Sequence, residues 1–326
     1  MAETLVTGAT GFIGSHLVES LLADRHAVRC LVRRTSNPRW LPVDRVRLVQ
    51  ADLESGEGLD AALAGVEVVF HLAGATKALS RREYQASNVA ATRRLLAAVA
   101  RNAPHLKRFV FLSSQAAAGP APAAQVRDES HACSPLTHYG ASKLEAERVL
   151  AEHPEIPAVV LRSVSVYGPR DRDMLELVKP FRRGFAPVIG QADKRLTFVH
   201  VADLVQALRL AAEHPAAVGQ TYFVTDGRQY NWAEVKAVLE RVAGRRARSL
   251  RIPLPAVWLV AAAAGAWARI TGRPSILNLN RFREFRAANW SCSSEKLQRE
   301  LGFKPRFDLE TGLRETVAWA RENRWF

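Results

Sequence analysis

The chain has 326 residues, 48% hydrophobic and 24% charged, with a net charge of +14. That length supports one large core or an α/β domain with a smaller appended one, and the composition excludes a disordered or low-complexity protein. The charge rests on 38 arginines against 8 lysines, but no zinc spacing or RNA-binding signature accompanies it, so no nucleic-acid partner is expected.

In chain order, Glu3–Val6 is predicted as a strand and Gly14–Ala23 as a helix. Ala27–Val32 and Val46–Gln50 read as strands, Leu59–Ala64 as a short helix, and Val66–Leu72 as a strand buried on both faces. Ser87–Ala100 reads as a helix, Arg108–Leu112 as a strand, Tyr139–Glu152 as a helix and Ala158–Ser163 as a strand. Strands separated by helices imply parallel pairing in an α/β, doubly wound sheet, a Rossmann fold. Further on, Arg172–Arg183 and Val201–Glu213 read as helices, Thr221–Val224 as one more sheet strand, and Trp232–Ala243 as an amphipathic helix. Residues 1–170, rejoined by about 196–226, are therefore expected to form the nucleotide domain. Residues 171–195 and 227–326 are left for a smaller, mostly helical substrate-binding lobe.

Ile252–Ala268 carries no charge over seventeen residues. Pro253 and Pro255 leave it short of the roughly 20 residues a membrane span needs. A buried helix lining the pocket is the expectation, with shallow contact to an anionic membrane surface as the alternative. Between Arg241 and Arg286 stand ten arginines, no lysine and one acid, Glu284, a local field that favours anionic ligands or surfaces. The cysteines Cys30, Cys133 and Cys292 lie far apart without metal-ligand spacing. Reduced thiols, no bound metal and a cytoplasmic location are expected, and no signal peptide, because Thr4-Leu5-Val6 already reads as a strand.

Two motifs carry chemistry. Gly8-Ala9-Thr10-Gly11-Phe12-Ile13-Gly14 lies between the first strand and the first helix. A sharp turn, bare backbone against a pyrophosphate and close helix–sheet packing all demand glycine there, and the helix N-terminus faces the phosphates. Strand Ala27–Val32 ends without the acid that would hold an NAD ribose; Arg33 and Arg34 stand in its place, suited to the 2′-phosphate of NADPH. NADP is therefore expected over NAD. The second motif is Tyr139-Gly140-Ala141-Ser142-Lys143. Residues four apart share a helix face, so an ammonium stands beside a phenol, favours its ionised form and lets it exchange a proton with a substrate oxygen. Ser114, at the carboxyl edge of an apolar strand, is assigned to hydrogen-bond that oxygen, with Ser113 as a structural hydroxyl.

Across nearly its whole length the chain resembles the extended short-chain dehydrogenase/reductase family. The matching pieces are Thr7–Gly14, Asp52-Leu53, His71-Leu72-Ala73-Gly74, Asn88-Val89, Ser113-Ser114, Tyr139–Lys143, Val166-Tyr167-Gly168-Pro169 and Phe198–Asp203. The resemblance implies that Asp52 holds the adenine amino group with Leu53 over the ring. It also implies that Leu72, Ala73 and Gly74 line the ribose and pyrophosphate, and that Ser163 to Val166 pass beside the nicotinamide. Lys143 would hold the nicotinamide ribose, Asn88 would support the sheet, and His200 and Asp203 would fix the junction of lobe and core. A homodimer is implied as well. Where many sugar-modifying members carry Val-Tyr-Gly after the serines, this chain has Ala117-Ala118-Gly119, and Ser163 replaces a usual proline. Three functions follow as expectations. The first is an NADPH-linked ketone reductase for a small hydrophobic substrate, similar to the 3β-hydroxysteroid dehydrogenase branch. The second is a nucleotide-sugar epimerase or dehydratase, using arginines 170, 182, 183 and 195 on a diphosphate. The third is a non-catalytic NADPH-binding module.

Overall fold

The computed structural model describes residues 3–122, 125–189, 194–271 and 279–325. Seven strands build the central sheet: β1 (Glu3–Thr7), β2 (Ala27–Val32), β3 (Arg47–Gln50), β4 (Val68–His71), β5 (Arg108–Ser114), β6 (Ala158–Ser163) and β7 (Thr221–Val224). Their order is β7-β6-β5-β4-β1-β2-β3, with every neighbouring pair parallel. The chain winds outward from β1 to β3, then crosses to β4 and winds the other way. The crevice beyond the carboxyl ends of β1 and β4 is thus the switch point where open α/β sheets bind ligands.

The sheet is apolar because both faces are covered. Along β5, Val110 and Leu112 enter one core with Leu17 and Val18 of helix Phe12–Ala23 and Leu204 and Leu208 of helix Val201–Glu213. Phe109 and Phe111 enter the opposite core with Leu95, Leu96 and Val149. A third core gathers Tyr167, Phe181, Phe198, Leu239 and Leu313, drawing on helices Arg172–Arg182, Trp232–Ala243 and Leu309–Glu322.

Beyond shifts of a residue or two at element ends and an unexpected parallel ribbon, Phe185–Ile189 with Arg248–Ile252, three departures stand out. The helix expected at Ser87 begins at Arg81, because Ser80 Oγ accepts from the Glu83 N–H and the Glu83 carboxylate accepts from the Leu79 N–H. It runs through a π-helical stretch, Gln85–Ala90, into Ala91–Asn102. The strand expected over Val66–Leu72 is trimmed to Val68–His71, since the Val66 N–H turns back to the Leu63 carbonyl. The apolar segment is the largest correction. Helix Leu254–Thr271 is not a buried helix: Trp258, Leu259, Val260, Trp267 and Ile270 are 47 to 79% exposed, and it docks through Val257, Ala261 and Ala268. Uniform hydrophobicity conceals which face packs. Among the described residues no helix is long and apolar enough to cross a membrane.

Candidate active site

At the switch point the glycine loop is pressed against the end of β4. Gly8 has φ +71°, and a Cβ there would stand 2.8 Å from the Ala73 nitrogen; one on Gly14 would stand 2.2 Å from the Gly8 oxygen. Gly11 caps the first helix without a side chain, and no acid occupies its first turn. Bare backbone, unblocked helix N–H groups and no negative charge fit a pyrophosphate. Thr10 and Phe12 are half-exposed at this rim, and Ile13 packs back on the core.

A buried relay fixes the facing loop. Thr92 Oγ1 donates to the Asn88 carbonyl, leaving it to accept from His71 Nε2 at 3.0 Å. Thr7 Oγ1 accepts from the Ala73 N–H and lies 2.8 Å from His71 Nδ1, to which it donates. Burial, with a smaller push from the Lys143 charge, lowers His71 to about 3, so its ring is neutral. Leu72, Ala73 and Gly74 follow directly, Leu72 against the core and Gly74 exposed.

Helix His138–Ala151 carries Tyr139 and Lys143. Thr137 caps it, its Oγ1 accepting from the Gly140 N–H. Gly140 is required by contact: a Cβ there would lie 2.2 Å from the Ala116 oxygen, so the helix start sits directly on the turn after β5. Tyr139 is half-buried, its ring centroid 6.0 Å from that of Tyr84. Lys143 is buried, donates to the Leu112 carbonyl at 2.7 Å and lies 4.2 Å from the centre of the Phe111 ring. Burial lowers its ammonium to about 8, partly opposed by Glu147. Its Nζ would be 3.9 Å from a Cβ on Gly74, which places the cation at the crevice.

The two serines differ in direction, as alternation along β5 requires. Ser113 is buried and donates to Glu147, which also holds Arg162 through bonds of 2.7 and 3.1 Å. Ser114 is half-exposed, and its Oγ accepts from the Ala116 N–H. Ser163, opposite Ser114 in the ladder, donates to the Ser113 carbonyl. Asn88 ties the site loop rather than the sheet, bonding Ala75 and Ser142.

The remaining expected residues spread around this centre. Arg33 and Arg34 are exposed just beyond β2, and neither forms an ion pair among the described residues. Asp52 follows β3, with Oδ1 accepting from the Glu54 and Ser55 N–H groups; Leu53 packs on the core. Val166 is half-buried opposite Val199 in a short parallel pair. Asp203 is buried and accepts from the Arg306 and Phe307 N–H groups, and the His200 ring lies 4.1 Å from that of Phe307. Arg170, one of four arginines expected on a diphosphate, is instead bonded to Ser15 and Glu19 of the first helix. Thr92, Glu147 and Arg162 carry no sequence signal, because the side chains they meet, His71 for Thr92 and each other for Glu147 and Arg162, lie 15 or more residues away; Tyr84 has none either, since nothing in its own segment marks it as a neighbour of Tyr139. Among the described residues no group of three or more His, Cys, Asp or Glu is placed to hold a metal.

A parallel sheet with a glycine-pinched crevice at its switch point defines a dinucleotide-binding enzyme fold. The chain belongs to the NAD dependent epimerase/dehydratase family, whose profile matches residues 4–231, and thus to the extended short-chain dehydrogenase/reductases, which are NAD(P)-dependent. It is 33% identical over 325 residues to the ceramide reductase of Caulobacter vibrioides (strain NA1000 / CB15N), covering 98% of this chain and 95% of that one. It is 30% identical over 319 residues to the 4-hydroxy-2-methyl-3-oxo-4-farnesyl-3,4-dihydroquinoline-1-oxide ketoreductase of Stigmatella aurantiaca, covering 95% and 94%. Among solved structures, MoeE5 in complex with UDP-glucose and NAD is 28% identical, with a TM-score of 0.78 over 99% of this chain and 100% of the other.

Proposed function

We propose that this chain is an NADPH-dependent reductase that interconverts a ketone and a secondary alcohol on a small hydrophobic substrate. The observation that carries the reading is the convergence at one crevice: Lys143 and the Tyr139 helix start beside Gly74 and the Ser114 turn, with Arg33 and Arg34 exposed at the neighbouring strand end. Similarity to two proteins named as reductases, of ceramide and of a farnesylated quinoline oxide, supports the hydrophobic character of the substrate and the reductive chemistry, not its small size.

In this reading Gly8, Thr10, Gly11, Phe12, Ile13 and Gly14 hold the pyrophosphate, and Arg33 and Arg34 the 2′-phosphate. Asp52 and Leu53 take the adenine, and Leu72, Ala73 and Gly74 line the adjoining ribose. Tyr139, Lys143, Ser163 and Val166 hold the nicotinamide end. When bound, the reduced cofactor supplies hydride to the carbonyl carbon. Tyr139 donates its phenolic proton to the substrate oxygen, and Ser114 hydrogen-bonds that oxygen as charge develops. Lys143, anchored on the Leu112 carbonyl, places a positive charge beside the phenol and grips the ribose. The substrate lobe is assigned to residues 171–195 and 227–326, and the assembly to a homodimer.

A nucleotide-sugar epimerase is the second reading, favoured by the likeness to MoeE5. The engagement of Arg170 with Ser15 and Glu19 weakens it. Purified protein supplied with NADPH and a panel of ketones separates the two. A reductase oxidises one cofactor per alcohol formed. Interconversion of UDP-sugars with no net cofactor consumption would overturn the first reading.

A further inference from the structure

Ten large apolar side chains are exposed among the described residues, and seven belong to one neighbourhood: Phe185, Leu250, Trp258, Leu259, Val260, Trp267 and Ile270. Strand Phe185–Ile189 pairs in parallel with Arg248–Ile252, Phe185 opposite Arg248 and Pro187 opposite Leu250. Phe185 and Leu250 therefore stand on the same side of the ribbon. Helix Leu254–Thr271 follows at once. With Val257, Ala261 and Ala268 turned inward, the 3.6-residue period puts Leu259, Ala263, Ala266, Trp267 and Ile270 on the outer side. No charge falls between Leu254 and Ala268. An amphipathic surface helix turns its polar face to water; this one presents an apolar face instead.

The rim of the patch is basic. Arg245, Arg246, Arg248 and Arg251 are exposed, and no Asp or Glu occurs between Arg241 and Arg283. Tryptophans on an apolar face beside clustered arginines match a headgroup boundary carrying negative charge. A second copy docking here about a two-fold axis would bring this acid-free arginine belt against itself, which costs like-charge repulsion.

We propose that the outer face of helix Leu254–Thr271, with the arginine-bearing ribbon before it, docks on an anionic phospholipid bilayer, the helix lying in the headgroup plane. The face connects to the active site. The helix packs on Leu279–Arg286, and Glu284 of that element accepts a hydrogen bond from Thr137, the cap of the Tyr139 helix. Capture of a lipid-soluble ketone from the bilayer follows only if the proposed reduction holds; docking itself does not depend on it.

Flotation of the full chain with vesicles tests docking without cofactor or turnover. The protein is expected to float with phosphatidylcholine–phosphatidylglycerol vesicles, not with phosphatidylcholine alone, and to be released by salt. Trp267→Glu with Ile270→Glu, both on exposed side chains, should cut the bound fraction about ten-fold or more. Arg248→Ser with Arg251→Ser should weaken binding and flatten its salt dependence. Leu48→Glu, at an exposed apolar position on β3, should change nothing. Failure of the wild type to bind anionic vesicles at low salt, or equal binding by the Trp267/Ile270 variant, would overturn the proposal. So would a concentration-dependent dimer in sedimentation that the same variant abolishes, since the face would then belong to a second copy.

Discussion

Asn88 Nδ2 donates to Ser142 Oγ across 2.9 Å, and this bond joins the loop after β4 to the helix bearing Tyr139 and Lys143. The same amide brackets Ala75, accepting from its N–H and donating to its carbonyl. Asn88→Ala strips partners from both, at a cost of about 1–3 kcal/mol. Urea unfolding should show that loss, and the turnover number should fall with it as the loop loosens. Unchanged stability would contradict the bracing role.

The glycine loop admits no side chain at position 14, where a Cβ would meet the Gly8 oxygen at 2.2 Å. Gly14→Ala must push helix and loop apart, which costs about 1–3 kcal/mol. Cofactor affinity, measured by titration calorimetry, should fall more than this stability loss explains, because the cradle itself is spread.

Replacing Arg33 and Arg34 together by Ala removes two exposed guanidinium groups. Hydrogen bonds to charged groups are worth about 1.5–3 kcal/mol, so NADPH binding should weaken by about ten-fold or more while NADH binding changes little. Equal weakening of both cofactors would refute the 2′-phosphate assignment.

Acid should act through His71. Its folded-state value is about 3, against 6.5 when solvated. Between those limits the unfolded chain binds a proton that the native one refuses, so stability falls as pH drops through the window, by about 1.4 kcal/mol per pH unit from this group. Above pH 6.5 both states are neutral and the contribution is flat. Asp171 and Asp226, raised to about 6 by burial, act in the opposite sense, so the comparison is with His71→Gln. Its stability should decline less steeply than the wild type between about pH 6 and 4.5; parallel slopes would contradict the buried neutral ring.

Much of this architecture was legible because doubly covered parallel strands leave short apolar runs separated by helical periodicity. All seven sheet strands were found, and the glycine loop identified its own turn through a need for bare backbone. The π-helical stretch leaves no mark in the sequence, and the partners of Asn88 within it, Ala75 and Ser142, are 13 and 54 residues away. Glu147 and Arg162 are 15 residues apart, on a helix and a strand, so no local spacing announces their ion pair. Arg170, expected with three other arginines on a diphosphate, pairs instead with Glu19, 151 residues away, a partner that no local pattern announces. The helix after Pro253 differs from the buried one expected because a sequence that is apolar all round does not encode which side is covered.

In the proposed reduction the phenol of Tyr139 delivers the proton to the substrate oxygen. Tyr139→Phe keeps the ring and its packing near Tyr84 but deletes that proton. Turnover of a ketone that the wild type reduces should fall by about 10²–10⁴-fold, while NADPH binding by calorimetry stays within about two-fold. Turnover near the wild-type rate in this variant would contradict the account.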